Sequence, residues 1–293
     1  EAASFLRRSP GSLPSRAAEN LAWLGRYVER AEDTVRVLRA YHARLAETDD
    51  RDMPLLADMR GFMEPLGIDM DVVVPDGLLS TVDGATYSAG QIRDRFSPDG
   101  WLALRDLSKT LHQFAGRVGA GDDAMRAMTV MLRKIAGFSG LLHENMYRST
   151  GWRFLEIGRR LERAIQIAGL LGRVTRSETP DGAFDMMLEI GDSVMTHRRQ
   201  YTAPAGRHTV VDLLALDPLN PRSVLFQLER LKHEIDHLPN IGGHVLSEPA
   251  REVWRLHTGL AIREAPDLGP EALEALAADV AGLYERLSQA YFA

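Results

Sequence analysis

Cysteine is absent from the 293 residues of this sequence. Its absence excludes disulfides, thiolate nucleophiles and zinc or iron–sulfur sites held by cysteine. Long apolar runs are missing as well: none approaches the roughly 20 residues of a membrane-spanning helix, and no segment resembles the apolar core of a signal peptide. These absences predict a cytoplasmic protein that does not enter a membrane.

Positive charge is also in short supply, since 35 Lys and Arg residues stand against 41 Asp and Glu residues. The net charge of −6 argues against nucleic acid as a partner, because nucleic-acid surfaces are basic. The glycine-rich phosphate loops of nucleotide sites are missing, and so is the Gly-x-Ser-x-Gly motif of serine hydrolases. We therefore expect no cofactor and no serine nucleophile.

Apolar residues recur three or four positions apart along almost the whole chain, which is the spacing of one helix face. The helical patterns cover residues 16–46, 55–63, 99–117, 122–147, 150–174, 181–201, 210–216, 221–238, 249–264 and 270–291. The strand-like run at residues 72–74 has no partner. Ser15 is expected to cap the first helix, and Asn220 the helix that begins with Pro221. The sequence predicts an all-α, multi-helix bundle of about ten helices.

A repeat divides the chain into two similar parts. Residues 25–31 (Gly-Arg-Tyr-Val-Glu-Arg-Ala) recur as residues 158–164 (Gly-Arg-Arg-Leu-Glu-Arg-Ala), at an offset of 133 that also aligns Leu55 with Leu188. Residues 88–92 align with residues 220–224 at an offset of 132. So long a period indicates two related halves rather than a solenoid. We predict one domain over residues 15–293, with halves 15–148 and 149–293, and a linker at residues 1–14 of the kind found where proteins are fused.

Each half carries a charged stripe, because residues three and four apart share a helix face. The stripes contain Arg26, Glu29 and Arg30 in the first half and Arg159, Glu162 and Arg163 in the second. One interpretation is a surface ladder of ion pairs within each helix. The other is a partly buried Arg/Glu network where the halves meet or in a cleft, whose guanidinium groups could hold a carboxylate or phosphate.

Two further groups of polar residues are candidates for the same site. Glu144 and Arg148 are four residues apart, so we expect them to pair and Glu144 to lie near the Arg159 cluster. Arg222 follows the turn formers Asp217 and Asn220 and could face a cleft. Each group also has a purely structural interpretation. Glu144 and Arg148 would form a salt bridge at a helix end, and the residues before Arg222 would form a capped turn.

A metal site has only weak support. His233, Glu234 and His237 match the zinc-hydrolase motif His-Glu-x-x-His on a predicted helix. Pro239 ends that helix, and no downstream acidic residue is marked as the third ligand. The Glu-x-x-His spacing of di-iron bundles occurs once, where two copies are needed. We expect no metal, and zinc hydrolysis is a minor alternative.

Three motifs resemble those of a known family, the bacterial alpha-E domain, which is catalogued as a domain of unknown function. They are residues 15–32, which include Glu-Asn-Leu-Ala-Trp-Leu-Gly-Arg-Tyr-Val-Glu-Arg, residues 151–163 and residues 220–228. The resemblance implies an all-α fold. It also implies two partners, an ATP-grasp amide-bond ligase, fused or separate, and a transglutaminase-like peptidase. The family often has Asn-Ala-Arg-Ser where this chain has residues 88–91 (Ser-Ala-Gly-Gln), so the first-half counterpart of Arg222 is missing.

Two functions follow from these observations. The first is a non-catalytic binding domain that serves an ATP-grasp ligase and recognises a carboxylate or peptide through its Arg/Glu face. The second is an enzyme that acts on a peptide or amide in the Arg/Glu cleft. An enzyme needs a concave site with perturbed carboxyl groups, which a docking module does not.

Overall fold

The fold consists of α-helices joined by short connections. The computed structural model describes residues 12–293, so most of the predicted linker lies outside the described residues. Within that range there are twelve α-helices and no strand, which confirms the all-α prediction. The helices are α1 (Ser15–Thr48), α2 (Pro54–Met63), α3 (Asp76–Gln91), α4 (Pro98–Phe114), α5 (Asp122–Asn145), α6 (Thr150–Val174), α7 (Ala183–Ile190), α8 (Val194–Gln200), α9 (Arg207–Val211), α10 (Val224–Asp236), α11 (Glu248–Ala261) and α12 (Pro270–Tyr291).

Helices α1 and α6 form the centre of the bundle and approach each other at two glycines. A Cβ atom on Gly25 would lie 2.2 Å from the Leu155 carbonyl oxygen, and one on Gly158 would lie 2.0 Å from the Ala22 carbonyl oxygen. Glycine is required at both positions, because any side chain would collide with the facing backbone. Under the offset of 133 the two contacts are equivalent, since Ala22 corresponds to Leu155 and Gly25 to Gly158.

Three further helices of each half surround this pair in the same way. In the first half α1 contacts α3 and α5, and α4 packs against both of those helices. In the second half α6 contacts α10 and α12, and α11 packs against both. The pattern is the one that a duplication predicts, and superposition of the two backbones stays a prediction.

The observed helices differ most from the predicted ones at three places. Helix α3 was not predicted, because Pro75 and Gly77 interrupt the apolar pattern there; Pro75 is in fact the residue that precedes the first helical turn. The predicted helix 181–201 is divided into α7 and α8, because the chain turns at Gly191 and Asp192. Asp192 has a φ of 48°, which lies outside the helical region. The predicted helix 210–216 consists of the end of α9 and a π-helical turn, Asp212–Leu216.

Two predicted caps are also wrong. Pro14, and not Ser15, occupies the cap position of α1. Helix α10 begins at Val224, three residues later than predicted, and its cap is Ser223, whose hydroxyl oxygen accepts a hydrogen bond from the Phe226 N–H at 3.0 Å.

The structure corrects the alignment of the two halves in their later part. Residues 88–91 end α3, whereas residues 220–223 precede α10, so the two segments are not equivalent. Relative to the start of its helix, the residue that corresponds to Arg222 is Val74, which is buried. The first half therefore lacks a counterpart of Arg222, as expected. The equivalent position is Val74, however, and not one of residues 88–91. None of the helices in residues 12–293 is long and apolar enough to cross a membrane.

We predict that Gly158→Ala destabilises the protein, because the new methyl group would push α1 and α6 apart. The loss should be about 1–3 kcal/mol or more, as for other overpacked cores. Gly140→Ala in α5 is the control, since its Cβ would meet no atom within 4 Å, and it should raise stability by roughly 0.5–1 kcal/mol. Urea unfolding of both variants measures the difference. Equal effects would contradict the close approach.

Candidate functional site

Charged side chains from α1, α6 and the segment before α10 meet where the two central helices cross. We call this set the Arg/Glu network. It contains seven arginines, Arg26, Arg30, Arg36, Arg159, Arg160, Arg163 and Arg222, and five acidic residues, Glu29, Glu32, Asp33, Glu156 and Glu162. Glu29 and Glu162 are each only 2% exposed. The interpretation as a surface ladder is therefore wrong, and the buried network is confirmed.

Glu162 of α6 is held by the stripe on α1. Its carboxylate accepts hydrogen bonds from Arg26 Nε at 2.9 Å and from Arg30 Nε at 2.7 Å and Nη2 at 3.1 Å. Gln166, one turn further along α6, donates to the same carboxylate at 3.2 Å. Burial alone would raise the pKa of Glu162, but the hydrogen bonds and charges of Arg30 and Arg26 outweigh it and hold the pKa below its ordinary value.

Glu29 of α1 is held in the reciprocal way by the stripe on α6. Its Oε1 atom accepts a hydrogen bond from Arg163 Nε, and its Oε2 atom lies 3.8 Å from Arg159 Nε. Glu29 Oε2 and Arg159 Nε are both buried, and neither has a hydrogen-bond partner within residues 12–293. The network is therefore incompletely paired at Glu29, whereas Glu162 is saturated.

Two more glutamates bind arginines at the borders of the network. Glu32 contacts Arg36 at 3.0 Å and accepts a hydrogen bond from Arg222 Nη2. Glu156 accepts hydrogen bonds from Arg159 at 2.8 Å and from Arg160 at 3.0 and 3.1 Å. In both glutamates burial would raise the pKa, and the neighbouring guanidinium groups lower it instead.

Asp33 is the exception among the acidic residues. It follows Glu29 by one turn, as Gln166 follows Glu162, so an acid stands where the second half has an amide. Burial, followed by the negative charge of Glu29, raises the pKa of Asp33 to about 7. A protonated Asp33 resembles Gln166 in carrying a hydrogen-bond donor one turn after the glutamate of its own helix. The carboxyl group is thus poised to exchange a proton near neutral pH.

The segment before α10 delivers Arg222 to the network. Asn220 is buried and donates hydrogen bonds to Ser193 Oγ at 3.1 Å and to the Leu213 carbonyl at 3.0 Å. Its Oδ1 atom accepts a hydrogen bond from the Arg222 N–H at 3.0 Å. Asn220 therefore positions Arg222 rather than capping the helix. Burial, and then the charge of Arg163, lower the pKa of Arg222.

Glu144 and Arg148 lie outside the network, contrary to expectation. Helix α5 ends at Asn145, so the two side chains do not share a helix face. Both residues are exposed, and Arg148 donates to the His143 carbonyl and lies 3.6 Å above the ring of Trp152. No ion pair joins Glu144 to an arginine in the described part of the chain.

The residues of the zinc motif are engaged in other contacts. Glu234 accepts a hydrogen bond from Arg153 at 2.8 Å, and His237 Nδ1 contacts the His233 carbonyl oxygen at 2.7 Å. Across residues 12–293 no three His, Asp or Glu side chains are grouped as metal ligands. The zinc alternative therefore has no third protein ligand in this part of the chain.

The sequence interpretation missed several members of the network. Arg160 lies within the repeated segment and Glu156 two residues before that segment, and their spacing of four residues was the available signal. Glu32 and Arg36 have the same spacing on α1. These pairs have no counterparts at the offset of 133, so the repeat did not reveal them.

Comparisons with known proteins agree with this architecture. The model of the alpha-E family, described as a predicted alpha-helical domain with a conserved ER motif, matches residues 13–292. Glu-Arg pairs occur in both stripes, at residues 29–30 and 162–163. No solved structure matches the chain significantly.

The similar curated proteins are uncharacterized proteins of Mycobacterium bovis and Mycobacterium tuberculosis. Each is 28% identical over 314 residues, which cover 94% of this chain and 34% of the relative. The chain thus spans about a third of the length of the curated relatives that it matches.

We predict that Glu162→Gln destabilises the protein by roughly 3–5 kcal/mol, because Arg26 and Arg30 would lose a buried counter-charge. Glu274→Gln is the matched control. Glu274 also accepts one arginine hydrogen bond, from Arg176 at 2.7 Å, but both side chains are nearly half exposed. Its loss should cost less than about 1 kcal/mol. Denaturant unfolding of the two variants checks the prediction, and a small loss for Glu162→Gln would contradict it.

The raised pKa of Asp33 predicts an unusual pH dependence of stability. Between the ordinary pKa of about 4 and the folded value of about 7, the folded protein binds more protons at Asp33 than the unfolded chain does. The free energy of unfolding should therefore fall as the pH rises, by roughly 1 kcal/mol per pH unit relative to Asp33→Asn.

Unfolding of the wild type and Asp33→Asn at several pH values between 4.5 and 7.5 measures that difference. Glu162, whose pKa is lowered, contributes the opposite trend, but it is common to both proteins and cancels. A constant difference across the range would show that Asp33 titrates as an ordinary carboxyl group.

Proposed function

We propose that this chain, which belongs to the alpha-E family, is a non-catalytic binding module that works with an ATP-grasp amide-bond ligase. Its Arg/Glu network would recognise a carboxylate, such as that of a peptide, and present it to the ligase. The observation that carries the proposal is the excess of guanidinium groups over carboxyl groups in the network.

The charges of the network do not balance. Seven guanidinium groups face five carboxyl groups, and burial raises the pKa of one of these carboxyl groups, Asp33, to about 7. At least two positive charges are therefore unmatched in a largely buried setting. The pKa values of Arg160 and Arg222 are lowered by burial, and nearby arginines contribute to that lowering. A bound anion would relieve this crowding, and guanidinium groups bind carboxylates in a forked, directional way.

A supporting role in a larger assembly fits the length of the relatives. This chain matches only 34% of each mycobacterial protein, so the module occurs there beside other segments. The chain itself has no nucleotide loop, and activation of a carboxylate would come from the ligase. A transglutaminase-like peptidase is a second proposed partner. Since the ligase consumes ATP, the proposal locates the assembly in the cytoplasm.

Asp33 favours a second candidate function, an enzyme that acts on a peptide or amide. A carboxyl group with a pKa of about 7 suits general acid–base catalysis. Such an enzyme would hydrolyse or transfer an amide without ligase and ATP, and Asp33→Asn would remove its activity while the chain still folds. A binding module would show no turnover by itself in either form.

We predict that adding the domain lowers the ligase KM for its carboxylate substrate by about tenfold, the effect of one charge-assisted hydrogen bond of about 1.5 kcal/mol. Arg30→Gln should reduce this gain, because Arg30 shares Glu162 with Arg26 and is the more exposed of the two guanidinium groups, with 34% of its side chain accessible. The measurement is ADP release at varied carboxylate concentration.

The control is Arg44→Gln, which removes an arginine of the same helix that pairs with Glu189 outside the network. It should leave the gain intact. Charge reversal at Arg163 is unsuitable, because it would bury a second carboxylate beside Glu29. Equal turnover with and without the domain would contradict the proposal and favour a purely structural role.

A further inference from the structure

Arg26 differs from the other arginines of the network in how its guanidinium group is held. Its Nε atom donates to Glu162 Oε2 at 2.9 Å. Its Cζ atom lies 4.8 Å from the centre of the Trp23 ring and 4.5 Å from that of the Tyr284 ring, which comes from α12. One hydrogen bond and two aromatic rings therefore fix the position of the guanidinium plane.

This arrangement leaves the outer end of Arg26 unused. Within residues 12–293, each of the other six arginines contacts a protein oxygen through an Nη atom. Arg26 makes no such contact, and its side chain is 12% exposed. Neither Nη atom is among the buried atoms without a hydrogen-bond partner in residues 12–293. The two N–H groups at that end have the spacing that binds both oxygens of a carboxylate.

Aromatic rings lie beside the guanidinium group of Arg26. Trp23 stacks on Tyr27 with a centroid distance of 5.1 Å and meets Tyr284 edge-on at 5.4 Å. Tyr27 lies against α3, where a Cβ atom on Gly84 would come within 2.9 Å of its ring. Tyr87 lies one turn beyond Gly84 and is 68% exposed. The surface beside Arg26 is thus suited to a flat or apolar group.

We infer that Arg26 is the carboxylate subsite of this domain, and that Trp23, Tyr27 and Tyr284 hold the side chain next to that carboxylate. The ligand class is the terminal carboxylate of a peptide or acylated amino acid with an aromatic side chain. The inference rests on the proposed function and assigns the contact within the network. A bare inorganic anion would use the fork but leave the rings uncovered.

The test is a calorimetric titration of the chain with N-acetylphenylalanine. N-acetylphenylalaninamide lacks the carboxylate and should bind at least tenfold more weakly. N-acetylalanine lacks the ring and should bind several-fold more weakly, as should inorganic phosphate. Arg26→Lys should weaken N-acetylphenylalanine binding about tenfold, because an ammonium group keeps the charge but cannot form the fork. Arg44→Lys is the matched control on the same helix, with 17% of its side chain exposed, and should bind like the wild type.

Tyr284→Leu provides a second variant that leaves the Arg26–Glu162 pair in place. It should weaken N-acetylphenylalanine several-fold and N-acetylalanine little. Carboxylate binding that is unchanged in Arg26→Lys and Tyr284→Leu would overturn the subsite and leave the proposed function standing. Phosphate binding as tight as that of N-acetylphenylalanine would overturn the aromatic specificity. No binding of any carboxylate would overturn the subsite and the proposed function together.

Discussion

The close approach of α1 and α6 determines much of the remaining structure. Two glycines let the backbones touch, so the side chains one turn further along each helix cannot reach solvent past the other helix. Those side chains include Glu29 and Glu162, and a buried carboxylate persists only when it is paired. The arginines that pair with them come from the facing helix, which makes each helix a necessary partner of the other. Apolar packing alone would allow α1 and α6 to slide, whereas reciprocal ion pairs fix their register.

The two halves stabilise their buried glutamates with different residues. Glu162 is saturated by Arg26, Arg30 and the amide of Gln166. Glu29 has an acid, Asp33, in place of that amide and receives additional charge from the segment that contains Arg222. This segment is held by Ser193, which precedes α8, and by the π-helical turn. Neither α8 nor the π-helical turn has an equivalent in the first half. The two halves therefore differ within the Arg/Glu network, in the residues that surround Glu29 and Glu162.

Much of the fold could be predicted from the sequence, because amphipathic periodicity and the glycine-anchored repeat are local signals. The bounds of α6 and α12 agree with the patterns residue by residue. Helix α3 was not predicted, because Pro75 was interpreted as a helix breaker. In the structure Pro75 immediately precedes the first turn of this helix. The repeat identified six charged residues that belong to the Arg/Glu network. Glu144 was misplaced because its supposed pair with Arg148 assumed a helix that ends at Asn145. The pairing of Arg222 with Glu32 joins residues 190 positions apart, which no local pattern reveals.

The position of Arg222 has a consequence for stoichiometry. Helices α1 and α6 are arranged almost symmetrically, and a symmetric molecule would surround its two buried glutamates alike. Arg222 Nη1 lies 3.8 Å from Glu29 Oε1, while the corresponding position in the first half carries the uncharged Val74. The two sides of the network therefore differ in charge. Under the proposed function, this asymmetry predicts that one carboxylate binds per chain, with a hyperbolic isotherm.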